Sequence, residues 1–456
     1  MSPLIPITLI GFPLLALVLR IVMPPTRAAL AVVLAGWLFL PGAAIDVPGF
    51  PDYVKHTAVA AGLTLTMLFF DFGRVLRLRG CLSDGLMVVW CTVPVATSLS
   101  NDLGLKNGVG LSLDHAIAWG IPYLAGRVYV TGARELRELA GAFVVAGLVY
   151  TPLCFIELML SPQLHRWLYG QHLHSFDQTM RFGGWRPTVF MRHGLEVGFL
   201  MSMAALSAVW LWRTGALRRV GHLPMSLGAP GLVVMALLCK SVGAIGLAVV
   251  GGAALFGGRW LGARAMVWGL ILLVPAYMAV RLTGSWSGES AISLARELSE
   301  DRANSLKTRF DAEALLIGRA MERPLLGWDG FRRNRVTDAE GNDLAITDGL
   351  WILELGLYGF VGLVSLYGAT LVPAARALRA APAARWGDPT VAAAVGLGVI
   401  VSLYAIDSLL NAPVSPMYVF VTGALAALPR LTSGPLRAPV PRPAAAGVRV
   451  PSLDQP

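Results

Sequence analysis

Ionisable residues gather at one end of the apolar segments of this chain. A charged side chain inside a membrane-spanning segment is costly, so its depth along the segment is informative. A proton or ion pathway would place such groups along the whole depth of the membrane, so clustering at one end indicates a site at one membrane face. The alternative for each residue is a boundary anchor or a structural ion pair. The clustered residues are Glu157, Glu196, Lys240, Arg281, Asp348, Glu354 and Asp407.

Asp348 has two possible roles. It lies between Thr347 and Gly349, directly before a long apolar segment. Aspartate is a favoured cap of a helix N-terminus, where its charge suits the positive end of the helix. The same carboxylate could act as a general base for a hydroxyl if its surroundings raise its pKa toward the working pH. Glu354, six residues on, could simply pair with an arginine.

Arginine alternates with aromatic residues in a polar segment at about 161–188 and just beyond it. A guanidinium group matches phosphate oxygens, and aromatic rings suit both sugar rings and the headgroup level of a bilayer. The segment therefore suits a phosphorylated glycolipid, or more simply the anionic headgroups of the membrane. The residues are Arg166, Arg181, Arg186 and Arg192 with Trp167, Tyr169, Phe176, Phe182 and Trp185.

Two further segments could contribute to the same site. Lys240 and Ser241 interrupt an apolar run, which predicts a tight turn that brings Lys240 to the site, or only a helix-hairpin turn. The segment from Ser305 to Pro324 reads as an amphipathic helix that contains Arg309. Its apolar stripe would be Leu306, Phe310, Ala314, Ile317 and Met321.

Several classes of site are not supported. The histidines and the cysteines have no metal-ligand spacing, and no cysteine lies in a large loop. The sequence has no P-loop and no GxGxxG motif after a strand. We therefore expect no metal, no cofactor and no disulfide framework. These residues are His165, His172, His174, Cys81, Cys91, Cys154 and Cys239.

The composition predicts that helices in a membrane position the candidate residues. Of 456 residues, 55% are hydrophobic and 14% are charged, whereas a soluble domain has roughly a quarter charged residues. We predict an all-α, polytopic membrane helical bundle of about 12–13 transmembrane helices. The net charge of +10 mostly reflects arginine in short loops, so no nucleic-acid partner is expected. The predicted spans are 4–23, 28–45, 55–72, 84–98, 108–126, 138–160, 189–212, 226–239, 242–257, 264–282, 349–372, 390–410 and 414–429.

The loop charges predict the orientation. Short loops on one side carry several arginines, such as Arg218 and Arg219, and those on the other carry only Lys55, Lys106 and Lys240. The positive-inside rule then places the N-terminus outside and the C-terminus inside.

The chain is predicted to form one transmembrane domain, 1–430. Its large outer loops span about 161–188 and about 283–347, the second between the tenth and eleventh helices. A Pro-, Ala- and Arg-rich tail, 431–456, is predicted to be disordered and cytoplasmic.

The segment 226–372 resembles the O-antigen ligase and Wzy-type polymerase superfamily of bacterial envelope membrane proteins. The resemblance lies in the Lys240–Ser241 hairpin, in Arg309 followed by ERPLLGWDGF, and in DGLWILELGLYGFVGL with its Glu354–Gly359 motif. The family usually has Ser-Arg at the hairpin and His-Asn where this chain has Asp348–Gly349. The histidine is the proposed base of the ligases, so its replacement favours a polymerase.

The resemblance implies a metal-independent glycosyltransferase of the bacterial inner membrane, active at the periplasmic face. It would transfer or polymerise exopolysaccharide or O-antigen glycan from undecaprenyl-diphosphate-linked donors, with envelope polysaccharide assembly proteins as partners. Asp348 would take the proton of the attacking hydroxyl. The diphosphate would be bound by Arg186, Lys240, Arg281 and Arg309, with possible support from Glu196, Glu354, Asp407, Arg181 and Arg192.

Two other functions remain open. A transporter or flippase of an envelope lipid-linked glycan predicts a charged path through the bilayer centre and inverted repeats, and the sequence shows neither. A non-catalytic scaffold of an envelope complex predicts that the outer arginines can be changed singly without effect.

Overall fold

The described chain is almost entirely helical. The structure, a computed structural model, describes residues 2–48, 52–173, 176–181, 183–345, 349–379, 382–412, 414–426 and 428. The predicted tail, 431–456, lies outside the described residues. The helices are α1 Leu4–Val22, α2 Pro25–Phe39, α3 Lys55–Phe70, α4 Phe72–Leu76, α5 Leu82–Ser100, α6 Gly104–His115, α7 Ile121–Tyr129, α8 Ala133–Leu160, α9 Leu164–Tyr169, α10 Gly194–Arg213, α11 Met225–Leu238, α12 Val242–Leu261, α13 Ala265–Leu282, α14 Glu289–Leu298, α15 Glu300–Met321, α16 Leu350–Arg379, α17 Pro389–Leu410 and α18 Pro416–Ala426.

A few short elements complete the fold. A π-helical turn, Ala116–Gly120, joins α6 to α7. Single 3₁₀ turns lie at Phe176–Thr179 and Ala383–Arg385. Two small antiparallel hairpins pair β1 with β2 and β3 with β4. The strands are β1 Met180–Arg181, β2 Gly184–Trp185, β3 Arg219–Val220 and β4 Leu223–Pro224.

Eight of the described helices are long and apolar enough to cross a membrane, as expected for a helical multi-pass membrane protein. They are α1, α5, α8, α10, α12, α13, α16 and α17. Helices α2, α11 and α18 are apolar but shorter. The helical fold class is thereby confirmed, and each predicted apolar block contains a helix.

Helices α10 and α17 lie at the centre of the bundle. Buried residues make up 83% of the apolar window in each, against 28% in α1 and in α12. The indole of Trp210 in α10 donates to the carbonyl of Ala392 in α17 at 2.8 Å. The outward face of a peripheral helix can remain apolar because lipid, not water, covers it.

Glu157, at the end of α8, holds the first large loop in place. Its carboxylate accepts backbone hydrogen bonds from Leu164 at 3.0 Å, Thr188 at 2.8 Å and Val189 at 2.7 Å. These contacts bind both ends of the loop to one helix terminus, which favours a structural role for Glu157. They also explain why the helix predicted from 189 starts only at Gly194.

The turn after α15 docks into a break in α16. Gly359 has φ 63° and ψ −163°, which interrupts the helix. The break frees backbone groups that the turn satisfies: Phe360 donates to Pro324 at 2.7 Å, and Asp329 donates to Leu357 at 2.9 Å. A Cβ at Gly327 or at Gly359 would overlap backbone atoms of the opposite segment. The two motifs that carry the family resemblance therefore form one backbone joint.

Helix α15 confirms the predicted amphipathic helix, but its buried face differs from the predicted stripe. Ala314 and Met321 are exposed, and Ala314 and Ile317 line an open groove. The prediction was wrong because it ranked residues by hydrophobicity, whereas the buried face includes a carboxylate paired with an arginine of α13. The buried residues are Ala303, Phe310, Ala312, Glu313, Leu316 and Ala320.

Candidate functional site

Seven of the ten site residues predicted from the sequence fall into three groups at one end of the bundle, and Arg281 and Glu354 lie apart from them. We call this the loop end, because the described residues of the segments 161–193 and 283–349 lie there. The first group surrounds Arg186 and the second surrounds Glu196. The third surrounds Asp407. Asp348, the predicted base, lies outside the described residues.

Arg186 is a buried cation with an unused donor. Only 3% of its surface is exposed. Its Nη2 donates to Ser241 Oγ at 3.3 Å, while its Nε has no hydrogen-bond partner among the residues described. Burial, and then the nearby charge of Arg181, lower the pKa of Arg186 to about 10. The group is still a cation at neutral pH, so it is suited to an anion.

Lys240 precedes Ser241, the residue that Arg186 contacts. It forms the tight turn between α11 and α12 with φ 53°. Its Nζ donates to the carbonyl oxygen of Arg181 at 3.1 Å and lies 2.3 Å from the position that a Cβ at Gly184 would take. Arg181, Arg186 and Lys240 therefore form a cation group that the β1–β2 hairpin and the Lys240–Ser241 turn hold together.

The charge of Lys55 acts on Glu196, and Lys55 was not among the residues predicted for the site. Lys55 is 6% exposed, and its Nζ lies 3.9 Å from the centroid of the Trp37 ring. Neither Lys55 Nζ nor Glu196 Oε2, both buried atoms, has a hydrogen-bond partner in the part of the chain that the structure describes. Each is the charged group that acts most strongly on the other, followed by the exposed Arg192. The only sequence signal was a lysine opening an apolar block.

Asp407 is held at the end of α17. Asn411 Nδ2 donates to its Oδ1 at 2.9 Å, and the charge of Arg309 acts on the same carboxylate. Leu350 donates its backbone N–H to the carbonyl of Asn411 at 3.0 Å, which binds the start of α16 to the end of α17. The charge of Arg309 therefore acts on Asp407, and the end of α17 is bound to the start of α16, the helix that follows Asp348 in the chain.

Two stacked tyrosines connect the second and third groups. The rings of Tyr404 and Tyr418 are 4.7 Å apart and inclined by 15°. The charges of Glu196 and of Asp407 both act on each ring. We use the name interior polar cluster for Lys55, Glu196, the two tyrosines, Asp407 and Arg309, because each is buried or partly buried and is linked to another member by the effect of a charge.

Arg281 was predicted to bind diphosphate, but its guanidinium is occupied by the protein. Its Nε donates to Glu313, its Nη1 to Trp286 O at 3.1 Å and its Nη2 to Phe310 O at 2.8 Å. Glu313 also accepts from the indole of Trp351 at 3.1 Å. These contacts favour a structural role, in which Arg281 and Glu313 lock α15 onto α13 and the first turn of α16.

Glu354 lies apart from the three groups. It is 9% exposed, and its Oε2 has no hydrogen-bond partner among the described side chains and backbone. Its charge acts on Tyr358 and Tyr367. The structure therefore places Glu354 among aromatic residues along α16.

Neither a metal site within the described residues nor a match to a known protein adds to this geometry. Within the described ranges, no group of three or more His, Cys, Asp or Glu side chains is placed to hold a metal ion. No family model matches the chain, and no curated protein matches it.

Proposed function

We propose that this chain is a membrane glycosyltransferase that uses undecaprenyl-diphosphate-linked glycan donors. Within this class we favour a polymerase of exopolysaccharide or O-antigen over a lipid A-core ligase. The observation that carries the proposal is the loop end itself. There the cation group of Arg181, Arg186 and Lys240 and the interior polar cluster are built from separate helices, with buried cations that have unused donors. Such groups suit a phosphorylated, hydroxyl-rich ligand.

The finer architecture is part of the same proposal. The chain crosses the bacterial inner membrane about thirteen times, with the N-terminus outside and the C-terminus in the cytoplasm. The loop end then faces the periplasm, where the substrates would be lipid-linked glycans and not nucleotide-linked sugars. The large segments 161–193 and 283–349 are the periplasmic loops.

The proposed reaction is a displacement at the anomeric carbon of the donor. A hydroxyl oxygen of the acceptor forms the new bond to that carbon, and Asp348 takes the hydroxyl proton. The bond from the anomeric carbon to the diphosphate oxygen breaks, and the diphosphate leaves with the electron pair. Arg186, Lys240 and Arg309 stabilise the negative charge of the leaving group.

Polymer formation in cells that depend on this chain tests the proposal. Asp348→Asn and Arg309→Ala should abolish polymer while the protein remains inserted in the membrane. Arg296→Ala is the matched control, because Arg296 lies in the same loop, is half exposed and pairs only with Glu300 among the described residues, at 3.4 Å. Normal polymer from both Asp348→Asn and Arg309→Ala would refute this mechanism.

A further inference from the structure

An open groove lies where the end of α13 meets α15. Its volume is about 470 Å³, within the range of roughly 300–1,000 Å³ that is usual for ligand sites. One wall is the end of α13 with the link that follows it, and the other wall is one face of α15. The apolar and aromatic part of the lining comes from Leu282, Trp286, Phe310, Ala314 and Ile317.

Contacts within the protein fix both walls of the groove. The guanidinium of Arg281 donates to Glu313 and to the carbonyl oxygens of Trp286 and Phe310. The rings of Trp286 and Phe310 are 5.6 Å apart and inclined by 66°. A Cβ at Gly288 would overlap the Phe310 ring, so glycine at this position lets the link approach α15 closely. The groove is therefore formed by the fold before any ligand enters it.

The lipid-facing side of α13 leads into the groove. Only 33% of the apolar window of α13 is buried. The exposed residues Leu272, Ala276, Ala279 and Thr283 follow one another at intervals of three or four, so they form one stripe along the helix. Thr283 also lines the groove, and its hydroxyl donates to the carbonyl of Ala279 at 2.9 Å. A lipid chain that covers the stripe therefore reaches the groove without crossing water.

The face of α15 beside the groove is exposed and apolar. Ala314, Leu315, Gly318 and Met321 are all exposed, Leu315 to 47%. Contiguous exposed apolar surface marks an interaction site or a membrane contact. An amphipathic helix with such a face lies at the level of the lipid headgroups, where tryptophan is also favoured. Hydrocarbon is thus the ligand that suits both this face and the groove.

The charges at the groove favour a zwitterionic headgroup over an anionic one. Among the described residues that line it, the charged side chains are Arg281 and Asp311. Arg281 is paired with Glu313, and Asp311 is paired with Lys307 at 2.9 Å on the exposed side of α15. An anionic headgroup would meet Asp311 and would find no unpaired cation among these lining residues. A headgroup with a phosphate and an ammonium group matches the second pair, because the phosphate accepts from Lys307 and the ammonium donates to Asp311.

We propose that the groove binds a phosphatidylethanolamine molecule. One acyl chain lies in the groove and continues along the exposed stripe of α13, and the headgroup lies at Lys307 and Asp311. The bound lipid covers the apolar face of α15 and holds this helix at the membrane surface. The proposal does not rest on the proposed function, because it follows from the groove, the stripe and the two ion pairs.

Photo-crosslinking of the full chain in nanodiscs tests the site. The probes are phosphatidylethanolamine and phosphatidylglycerol, each with a diazirine in the acyl chain, and mass spectrometry of peptides locates the labelled residues. Labelling at Leu272 is the internal reference, since both lipids reach that exposed position equally. Relative to it, phosphatidylethanolamine should label 282–287 and 310–317 about two- to fivefold more than phosphatidylglycerol does, the modest preference expected of exposed ion pairs.

Two variants separate the groove from the surrounding surface. Ala314→Trp fills the groove and should lose its labelling, while the reference labelling at Leu272 is kept. Leu315→Trp is the matched control, because Leu315 is exposed on the same helix and does not line the groove, and it should be labelled like the wild type. Asp311→Lys should reverse the preference toward phosphatidylglycerol.

Three results would overturn the proposal. In the first, the wild type is labelled at Leu272 but not in the groove. In the second, Ala314→Trp and Leu315→Trp are labelled equally in the groove. In the third, undecaprenyl diphosphate at an equal mole fraction abolishes the groove labelling, which would assign the groove to the lipid carrier instead.

Discussion

Phe360 donates its backbone N–H to the carbonyl oxygen of Pro324 at 2.7 Å, and this bond joins the turn after α15 to the break in α16. A second bond runs from Trp328 to Gly356 at 2.9 Å. The joint satisfies backbone groups that a helix break would otherwise leave unpaired, which is expensive away from water. It also fixes where the loop carrying Arg309 meets the helix that follows Asp348.

We predict that Gly359→Ala destabilises the joint. Gly359 has a positive φ, and a Cβ there would overlap the backbone of Leu325. The cost should be about 1–3 kcal/mol or more, since the strained conformation and the overlap both oppose folding. The thermal transition of the purified protein measures it. Gly318→Ala, at an exposed position of α15 where a Cβ meets no described atom within 4 Å, is the control and should be neutral or stabilising. Equal transitions for the two variants would contradict the role of the joint.

Arg281 and Glu313 should behave as a structural pair. Removing one partner, as in Arg281→Gln, leaves a buried carboxylate uncompensated and should cost about 3–5 kcal/mol. The double variant Arg281→Met/Glu313→Leu should recover much of that stability. Denaturation and transfer assays on the three proteins check this. If the double variant is stable but has lost transfer activity completely, Arg281 acts on the substrate and the structural assignment fails.

Glu157→Leu should release the first large loop. The substitution leaves the N–H groups of Leu164, Thr188 and Val189 without their acceptor, at about 1–3 kcal/mol for each group that stays buried. We expect faster hydrogen exchange across the segment that carries Arg186, while exchange in α13 stays the same. Unchanged exchange in this loop would show that other contacts hold it.

The ion pairs of Asp343 with Arg332 and Arg335 should break only when the pH falls far enough to protonate Asp343. The two arginines hold the pKa of Asp343 below its ordinary value. A lowered folded-state pKa gives stabilisation that is present above the ordinary aspartate value and is lost as pH falls through the folded value. Limited proteolysis of the second large loop should therefore accelerate only in strong acid. In Asp343→Asn the cleavage rate should already be high at neutral pH. A wild-type rate that rises near neutral pH would contradict this assignment.

The helices could be predicted from the sequence, because long apolar blocks have one stable form in a bilayer. The tight turn at Lys240 could be anticipated as well. The pairing of Arg281 with Glu313 could not, because it joins a span to a loop helix through tertiary packing. Lys55 was missed for the same reason, since one lysine at a block boundary reads as an interfacial anchor until the fold shows that it is buried. The buried face of α15 depended on such a pair and was mispredicted with it.

Reconstitution with an undecaprenyl-diphosphate glycan tests the central claim most directly. Purified protein in liposomes, supplied with lipid-linked repeat units on the loop-end side, should release undecaprenyl diphosphate in step with glycan bond formation. Asp348→Asn and Arg309→Ala should lower this rate by at least about a hundredfold, as expected for loss of a base or of charge stabilisation, and Arg296→Ala should match the wild type. Release at the wild-type rate from Asp348→Asn and Arg309→Ala, or no release from the wild type, would contradict the account.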